Sequence, residues 1–282
     1  MDAVDPFEAE RPRLMAIAYR MLGSRAEAED VVQDAWLRFR DAPRADITNV
    51  PGYLCTVVTR LCLDQLKSAR ARRETYVGPW LPEPLRTDGD ALAPADRESI
   101  STAFLLLLER LSPQERAAYL LHEVFDYSHA EVAEMVGASE AACRQWFHRA
   151  QRHLADGRPR HARSTEEHQR LLGTFLDACV RGDLTALRAL LADGVTAASD
   201  SGGKAQAALK EVRGVDPVAR LLVGLTKKFA GGLHAEPAEL NGWPALILRD
   251  GARADSTLQL ETDGERIYAV QMTRNPDKLA RL

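Results

Sequence analysis

The stretch that most constrains the fold is residues 128–154, SHAEVAEMVGASEAACRQWFHRAQRHL, which predicts two short helices joined by a tight turn. Ser128 and Glu131 form a capping box, in which a hydroxyl and a carboxylate each satisfy an orphan backbone donor. Gly137 ends the first helix because glycine adopts the left-handed conformation at little cost. Ser139 is suited to cap the second helix. The chain must therefore supply a helical framework around this hairpin.

The second helix of the hairpin has two chemically different sides. Its apolar side repeats at spacings of three and four and consists of Cys143, Trp146, Phe147, Ala150 and Leu154. Its polar side consists of Glu140, Arg144, Gln145, His148, Arg149 and Arg152. A short helix, a glycine turn and a longer basic helix form the helix-turn-helix pattern, whose second helix enters the DNA major groove. The stretch alone leaves a DNA reader and an ordinary helical hairpin both open.

Composition narrows the class of protein. A chain of 282 residues accommodates two or three domains. Its net charge of −4 argues against indiscriminate coating of nucleic acid. Basic residues are nevertheless concentrated in 60–73 and 144–163, which suits conditional DNA affinity. No apolar run reaches the roughly 20 residues that span a membrane, and the acidic N-terminus is unlike a secretory signal. We therefore expect a cytoplasmic protein without a membrane partner.

The four cysteines, Cys55, Cys62, Cys143 and Cys179, show no zinc-ligand spacing. Residues five positions apart on a helix point in different directions, so Cys143 and the histidines that follow it cannot share one metal. We expect buried thiols, no metal site and no cofactor.

Three helices are predicted before residue 75 from apolar stripes in 14–22, 28–39 and 54–61. Three antiparallel helices of this length can bury one small core. In the second helix, Trp36 falls on the predicted buried side. The opposite side carries Asp30, Gln33, Asp34 and Leu37. Such a side is either a solvated acidic surface or a docking face, and an exposed Leu37 would suit docking.

Residues 76–96 are rich in proline and glycine, which forbids a continuous helix and predicts a linker. Helical periodicity resumes at 99–110 and continues through the helix-turn-helix, giving a second all-α domain. From residue 164 the pattern changes again. Helices are predicted at 167–180, 184–191 and 217–229, and strands at 195–199, 233–240, 245–248, 256–262 and 266–272. Helices followed by an antiparallel meander indicate an α+β domain.

The residues at 28–39 (AEDVVQDAWLRF), 63–74 (LDQLKSARARRE) and 111–154 resemble the extracytoplasmic-function class of the sigma-70 superfamily. Downstream, the chain resembles the subgroup with a fused C-terminal SnoaL-like domain. Three motifs carry this second resemblance: Trp-Leu-Pro-Glu-Pro at 80–84, Asp-Ser-Gly-Gly-Lys at 200–204 and Asn-Pro-Asp-Lys-Leu at 275–279. The subgroup has glycine where this chain has Ser201. Serine costs little there unless φ is positive, so we expect the loop to be kept.

The resemblance implies a multidomain protein with two all-α sigma domains, a helical bundle and a helix-turn-helix four-helix domain, followed by an α+β SnoaL-like cone. The predicted domains are region 2 at 1–76, a Pro-rich linker at 77–98, region 4 at 99–160 and a regulatory domain at 164–282. The implied function is that of a sigma factor directing promoter-specific transcription initiation, modulated in cis by the cone. Its implied partners are core RNA polymerase, through the largest-subunit clamp and the flap, and the −35 and −10 promoter elements. No separate anti-sigma protein would be required.

The resemblance also implies residue roles. Polymerase docking would use Asp30, Gln33, Asp34 and Leu37. Asn49 would hold a flipped −10 base, and the nearby phosphates would meet Arg60, Lys67, Arg70, Arg72 and Arg73. At the −35 element the base-edge candidates are Glu140, Ala141, Arg144 and Gln145, and the phosphate contacts are His148, Arg149 and Arg152. Regulation in cis would use Trp80, Leu81, Pro82, Asp200, Gly202, Gly203, Lys204, Asn275, Pro276, Asp277, Lys278 and Leu279.

Two alternatives remain open. The chain could be a DNA-binding regulator, such as a repressor, that acts without polymerase and whose cone binds a small molecule. The cone could also be an enzyme with a carboxylate base in an apolar cavity. Asp177, Asp200 and His234 are the candidates for the second alternative, but no spacing compels that role. Asp200 and Lys204 more simply predict a salt bridge within one loop, so we do not expect an enzyme.

Overall fold

The computed structural model describes residues 5–43, 47–88, 97–155, 164–229 and 232–282, with the side chains of 69–74 left out. The chain forms two compact units. Unit 1 comprises Met1–Glu74 and Phe104–Arg158, and unit 2 comprises Thr75–Ala103 and Pro159–Leu282. Parts of the predicted linker (89–96) and of the stretch after the helix-turn-helix (156–163) lie outside the described residues.

Unit 1 is helical. Its first helices are α1 (Pro6–Leu22), α2 (Arg25–Asp41) and α3 (Val50–Glu74). These are followed by α4 (Thr102–Leu108), α5 (Pro113–Tyr119), a π-helical turn (Leu120–Val124), α6 (His129–Val136) and α7 (Glu140–Ala155). Gly137 ends α6 in the left-handed conformation, as predicted, and Gly23 ends α1 in the same way. The capping box of Ser128 and Glu131 is formed in full.

The buried side of α1 contributes Leu14, Ile17 and Met21 to the core of unit 1, all fully buried. Helices α2 and α3 pack against it, so the predicted three-helix core is formed. One assignment was wrong, because Trp36, predicted on the buried side of α2, is 37% exposed. The Arg40 guanidinium lies over its ring, 5.2 Å from the ring centre. Leu37 is partly buried instead.

Unit 2 is α+β. In chain order it contains α8 (Thr165–Arg181), α9 (Leu184–Leu190), β1 (Leu191–Asp200), β2 (Val212–Arg213), α10 (Val215–Phe229), β3 (His234–Leu240), β4 (Trp243–Asp250), β5 (Arg253–Thr262), β6 (Ile267–Thr273) and α11 (Pro276–Leu279). The sheet has the order β2-β1-β6-β5-β4-β3, and only β1 and β6 pair in parallel. The predicted order of fold classes, helical segments followed by an α+β domain, is confirmed.

The parallel pairing decides where the motifs lie. Asp200 at the end of β1 is opposite Thr273 at the end of β6. Because parallel strands end at the same edge of a sheet, the loop at 200–204 and the tail at 275–279 meet there. The core of unit 2 lies between the sheet and helices α8, α9 and α10, and it includes Phe175, Leu222 and Val270.

Three local features differ from the predictions. The predicted helix at 99–110 is interrupted at Ser101, between a 3₁₀ turn (Glu98–Ile100) and α4, and the Ile100 carbonyl before the break accepts a hydrogen bond from Asn241. Strand β1 begins at Leu191, earlier than predicted. The short elements β2 and α11 were not predicted at all.

The expectation of buried thiols is confirmed, since all four cysteines are free and buried. Within the described ranges, none of the helices combines the length and the apolar character needed to cross a bilayer.

Candidate functional sites

Helix α7 presents its polar side outward. The exposed residues on this side are Glu140, Ala141, Arg144, Gln145, His148 and Arg152. Cys143, Phe147, Ala150 and Leu154 are buried on the opposite side. Arg144 forms an ion pair with Glu140 one turn earlier, so the two charged base-reading candidates hold each other in this conformation.

Arg149 differs from its neighbours on the same helix. Its Nε donates to the Glu115 carboxylate of α5 at 2.9 Å. Glu115 is buried and also closes the capping box of α5 with Ser112. Burial acts to raise the pKa of Glu115, but the hydrogen bonds from Ser112 and Arg149 outweigh it and the pKa is lowered. Arg149 therefore joins α7 to α5 in this conformation.

The predicted polymerase-docking face lies on α2. Asp30, Gln33 and Asp34 are exposed, and the partly buried Leu37 lies on the same side of the helix. At the start of α3, the exposed Asn49 accepts a hydrogen bond from the Gly52 backbone at 3.1 Å. Asn49 therefore caps α3. The role predicted for this residue was to hold a flipped base of the −10 element.

Along α3, the predicted phosphate contacts divide into three groups. Lys67 is exposed and pairs with Asp64 one turn earlier. Arg60 donates to the carbonyls of Met135 at 2.9 Å and Glu134 at 3.0 Å, in the last turn of α6. The side chains of Arg70, Arg72 and Arg73 lie outside the described residues.

A second arginine makes the same kind of contact within unit 1. Arg116 of α5 is buried and donates to the carbonyls of Met21 at 2.8 Å and Leu108 at 2.7 Å, at the ends of α1 and α4. Burial lowers its pKa to about 9, while the carboxylate of Glu109 lies 2.7 Å away. Carbonyls at helix C-termini lack intrahelical partners and carry the negative end of the helix dipole. Arg60 and Arg116 therefore tie the first three helices to the later ones.

In unit 2 the linker is bound along the α+β fold. Residues 81–85 are all buried. Asp200, at the end of β1, is 0% exposed. Its carboxylate accepts hydrogen bonds from the Tyr76 hydroxyl at 2.5 Å and the Leu81 backbone at 2.8 Å. Burial and then the hydrogen bond to Asp200 raise the pKa of Tyr76. One buried carboxylate thus holds two points of the linker.

Lys278 in α11 completes this site. Its Nζ donates to Asp200 Oδ2 at 2.7 Å and also to the Leu81 carbonyl. The same ammonium lies 4.4 Å from the centre of the Trp80 ring, and the side chain is only 11% exposed. Asn275 adds a hydrogen bond to the Tyr76 hydroxyl at 2.9 Å. We call this set, Tyr76, Leu81, Asp200, Asn275 and Lys278, the linker clamp.

The glycines of the 200–204 loop explain its shape. Gly202 and Gly203 have positive φ, whereas Ser201 does not, so the serine is tolerated as predicted. A Cβ on Gly202 would lie 2.5 Å from Asn275 Nδ2. The loop can therefore meet the tail this closely only with glycine at that position.

The predicted salt bridge between Asp200 and Lys204 was wrong. Asp200 points into the buried clamp and pairs with Lys278, while Lys204 pairs with the exposed Asp277 at the start of α11. Pro276 begins that helix and Leu279 is buried within it. Pro82, Trp80 and Leu81 all lie in the bound part of the linker.

A second attachment of the linker was not predicted. Leu85 and Asn241 exchange hydrogen bonds, and Asn241 also donates to the Ile100 carbonyl at 3.0 Å. Thr87 donates to the Glu239 carboxylate at 2.9 Å. Asn241 and Gly242 form the turn between β3 and β4, and both residues have positive φ. The dipeptide Asn-Gly also occurs in ordinary hairpins, so the sequence could not show that this turn binds the linker.

The enzyme candidates are not brought together by any described contact. Asp177 is exposed on α8 and pairs with Arg181. Asp200 is enclosed by the linker clamp, and His234 is exposed at the start of β3. Their arrangement offers no shared proton-transfer pair.

Comparison with known proteins agrees with this geometry. The family model "Sigma-70 region 2" matches residues 7–72, and "Sigma-70, region 4" matches residues 101–154. The ECF RNA polymerase sigma factor SigJ of Mycobacterium tuberculosis (strain ATCC 25618 / H37Rv) is 44% identical over 281 residues, covering 96% of this chain and 86% of SigJ. The probable ECF RNA polymerase sigma factor SigI of Mycobacterium tuberculosis (strain CDC 1551 / Oshkosh) is 33% identical, covering 97% of this chain and 93% of SigI. The crystal structure of Mycobacterium tuberculosis SigJ matches with a TM-score of 0.80 and 37% identity, covering 99% of this chain and 98% of that one.

Proposed function

Because the chain belongs to the extracytoplasmic-function RNA polymerase sigma factors, which direct promoter-specific transcription initiation, we propose that unit 2 regulates this activity in cis. The regulated element is the linker between the region-2 and region-4 segments. The observation that carries the proposal is the buried Asp200 carboxylate, which binds Tyr76, Leu81 and Lys278 together.

Binding of the linker limits how far the two segments can separate. A free linker over residues 75–98 would span about 80 Å when extended, at about 3.4 Å per residue. In the described conformation this segment is held on unit 2 near both ends, by Asp200 at Tyr76 and by Thr165 and Glu239 at Arg97. Release of the linker from unit 2 would therefore let the two segments move further apart than they can while it is bound. This device lies in the same chain, so no separate anti-sigma protein is required for it.

The sigma segments would act through their exposed faces. Asp30, Gln33, Asp34 and Leu37 form a docking face for core polymerase. On α7, Glu140, Ala141, Arg144 and Gln145 would read base edges of the −35 element, and His148 and Arg152 would contact phosphates. Asn49 and Lys67, with Arg70, Arg72 and Arg73, would serve the −10 element.

Two of the predicted phosphate contacts bind other parts of the protein in the described conformation. Arg60 and Arg149 donate to protein acceptors there, Arg60 through two of its nitrogens and Arg149 through its Nε, so these donors are not available to DNA. Arg60 would become available when α3 and α6 part. Arg149 would remain with Glu115, because both belong to the region-4 segment.

Paired lysine variants test regulation in cis. Lys278→Ala removes the cation of the linker clamp, whereas Lys210→Ala removes an exposed lysine of unit 2 that is not part of it. In transcription with core polymerase, Lys278→Ala should change output from a cognate promoter, and Lys210→Ala should leave it near that of the unaltered protein. Equal output from all three proteins would reject the proposal.

A regulator that acts without polymerase remains the second candidate, because the helix-turn-helix alone is compatible with it. Gel-shift measurements with and without core polymerase separate the two. A sigma factor should need the polymerase for specific retardation of promoter DNA. Full specific binding by the isolated chain would favour the regulator.

A further inference from the structure

Two histidine rings are stacked within the region-4 segment of unit 1. His122 lies in the π-helical turn, and His129 is the first residue of α6. Their ring centres are 4.0 Å apart, and the Phe147 ring of α7 meets both of them edge-on, at 4.7 and 5.4 Å. Two positive charges this close repel each other, so the stack disfavours protonation of both rings.

Hydrogen bonding disfavours protonation of His129 in particular. His122 Nδ1 lies 2.7 Å from the Tyr127 carbonyl, and because a carbonyl only accepts, this nitrogen carries a proton. The Nδ1 atom of His129, in contrast, is buried and has no hydrogen-bond partner among the described residues. A charged imidazole has an N–H at both ring nitrogens. Protonation of His129 in this position would therefore bury a donor without an acceptor, which is unfavourable.

The charges that face His129 act mostly in the same direction. Arg144 and His148 on α7 disfavour a cation there, whereas Glu140, which pairs with Arg144, favours one. As the first residue of α6, His129 also lies at the positive end of the helix dipole. Burial, followed by the charges of His122 and Arg144, lowers the pKa of His129.

The other charged groups near the pair are engaged elsewhere or carry no described bond to it. Glu115 of α5 and Glu131 of α6 close capping boxes, and Arg60 of α3 binds the last turn of α6. Glu123 and Asp126, on the same stretch as the histidines, are exposed. Within the described ranges, no hydrogen bond or ion pair joins any of these groups to His129, so none of them offsets the charge of a protonated ring by direct contact.

The stacked pair adjoins a contact between the region-4 and region-2 segments. Tyr127, whose carbonyl binds His122, donates through its hydroxyl to Cys55 Sγ of α3 at 3.0 Å. The guanidinium of Arg13 on α1 lies over the Tyr127 ring, 4.9 Å from its centre. Only Ser128 separates Tyr127 from His129 in the chain. Movement of the His129 ring out of the stack would therefore displace Tyr127 from α1 and α3.

We propose that the His122–His129 stack is a pH-sensitive switch, which keeps the region-4 segment packed on the region-2 segment near neutral pH and releases it in mild acid. A released histidine regains an ordinary pKa of about 6.5, so the open form binds more protons than the packed form. The packed form is therefore fully stabilised above about pH 6.5 and loses this stabilisation as the pH falls through that value. All the residues of the switch belong to unit 1, so it is independent of the linker clamp.

The thiol of Cys55 reports the release, because it is fully buried and accepts the Tyr127 hydroxyl. The full chain is treated with 4,4′-dithiodipyridine at about pH 7.5 and about pH 5.5, and mass spectrometry follows each cysteine. Each rate is divided by that of free cysteine at the same pH, which removes the effect of thiol ionisation. One histidine can shift the opening equilibrium by up to about tenfold over this interval. Cys55 should react severalfold faster at the lower pH, whereas Cys179, buried in unit 2, should not.

Three variants assign the effect to the pair. His129→Gln removes the titrating ring and should bring the ratio of Cys55 rates at the two pH values close to one. His122→Asn keeps a donor for the Tyr127 carbonyl but removes the second ring, and it should reduce the ratio. His234→Gln, an exposed change on β3, should leave the ratio unaltered. Circular dichroism at about pH 7.5 checks that each variant is folded.

Several outcomes would overturn the switch. Equal Cys55 rates at the two pH values in the unaltered protein would do so even if a variant did not fold. A full pH effect that persists in His129→Gln would place the titrating group elsewhere. Equal acceleration of Cys179 would mean that acid unfolds the whole chain rather than separating the two segments. None of these results bears on regulation in cis, whose residues lie in unit 2.

Discussion

Two regions of the molecule use a cation to bind backbone carbonyls, but they do so in different surroundings. In unit 1, Arg60 is exposed and caps the last turn of α6. In unit 2, Lys278 is nearly buried and shares the fully buried Asp200 with the linker. Solvent screens an exposed contact, whereas removing one partner of a buried pair leaves an uncompensated charge. The contact of Arg60 with α6 should therefore open more easily than the linker clamp.

The largest effect is expected at Asp200. Asp200→Ala leaves the Lys278 ammonium and the Leu81 N–H buried without their shared acceptor. We expect unit 2 to lose about 3–5 kcal/mol in its free energy of unfolding, measured by urea denaturation. Asp277→Ala, which breaks the neighbouring exposed pair, should cost less than about 1 kcal/mol. Similar losses in the two variants would contradict the contrast between buried and exposed pairs.

A smaller effect is expected at Gly202. Gly202→Ala forces a Cβ to within 2.5 Å of Asn275 Nδ2 and also places alanine at a φ of +55°. Gly251→Ala is a matched control, because its φ is +58° and nothing lies within 4 Å of the added Cβ. Both variants bear the left-handed penalty of about 1–2 kcal/mol, measured by the same denaturation. Only Gly202→Ala should also speed amide exchange at residues 275–279; an equal change in both would show that backbone strain alone acts there.

Removal of Arg60 should have a weaker effect on unit 1. Arg60→Ala leaves the carbonyls of Glu134 and Met135 to water, and the expected loss is about 1 kcal/mol because the guanidinium is exposed. Amide exchange should quicken in α6 while α1 and α2 stay protected. Lys67→Ala on the same helix should not alter α6. A loss as large as that of Asp200→Ala would remove the proposed difference between the two regions.

The smallest stability change is expected at Arg144. Its ion pair with Glu140 lies on an exposed helix surface, so Arg144→Ala should change the unfolding free energy by less than about 0.5 kcal/mol. Binding by the holoenzyme should nevertheless fall far more on the cognate −35 sequence than on a base-shuffled one. An equal loss on both sequences would assign Arg144 to phosphate contact.

The sequence predicted features that depend on neighbours along the chain. Ser128 and Glu131 cap α6 and Gly137 ends it, because each of these signals acts over a few residues. The motifs at 80–84, 200–204 and 275–279 could also be recognised, because each is a short continuous stretch of sequence. Their assembly into one site follows from the parallel pairing of β1 with β6, which periodicity does not reveal.

Contacts between residues that are distant in sequence could not be predicted. Asp200 was paired with Lys204 because the two residues share a loop, yet its cation is Lys278 on another element. Tyr76 and Asn241 were not selected, since a lone tyrosine in a linker and a turn asparagine have many ordinary roles. Trp36 was assigned to the core from helical spacing, but a stripe wider than the contact area places its edge residues in solvent.

The position of the linker clamp along the chain sets an order of events during synthesis. The last residue of unit 1 is Arg158, whereas the linker clamp needs Lys278 in α11. At a translation rate of about 5–20 residues per second, the intervening 120 residues take about 6–24 s to make. Throughout that interval the complete linker clamp cannot form, because Asn275 and Lys278 have not yet been made. Each newly made molecule thus passes through a stage in which unit 1 exists without this restraint.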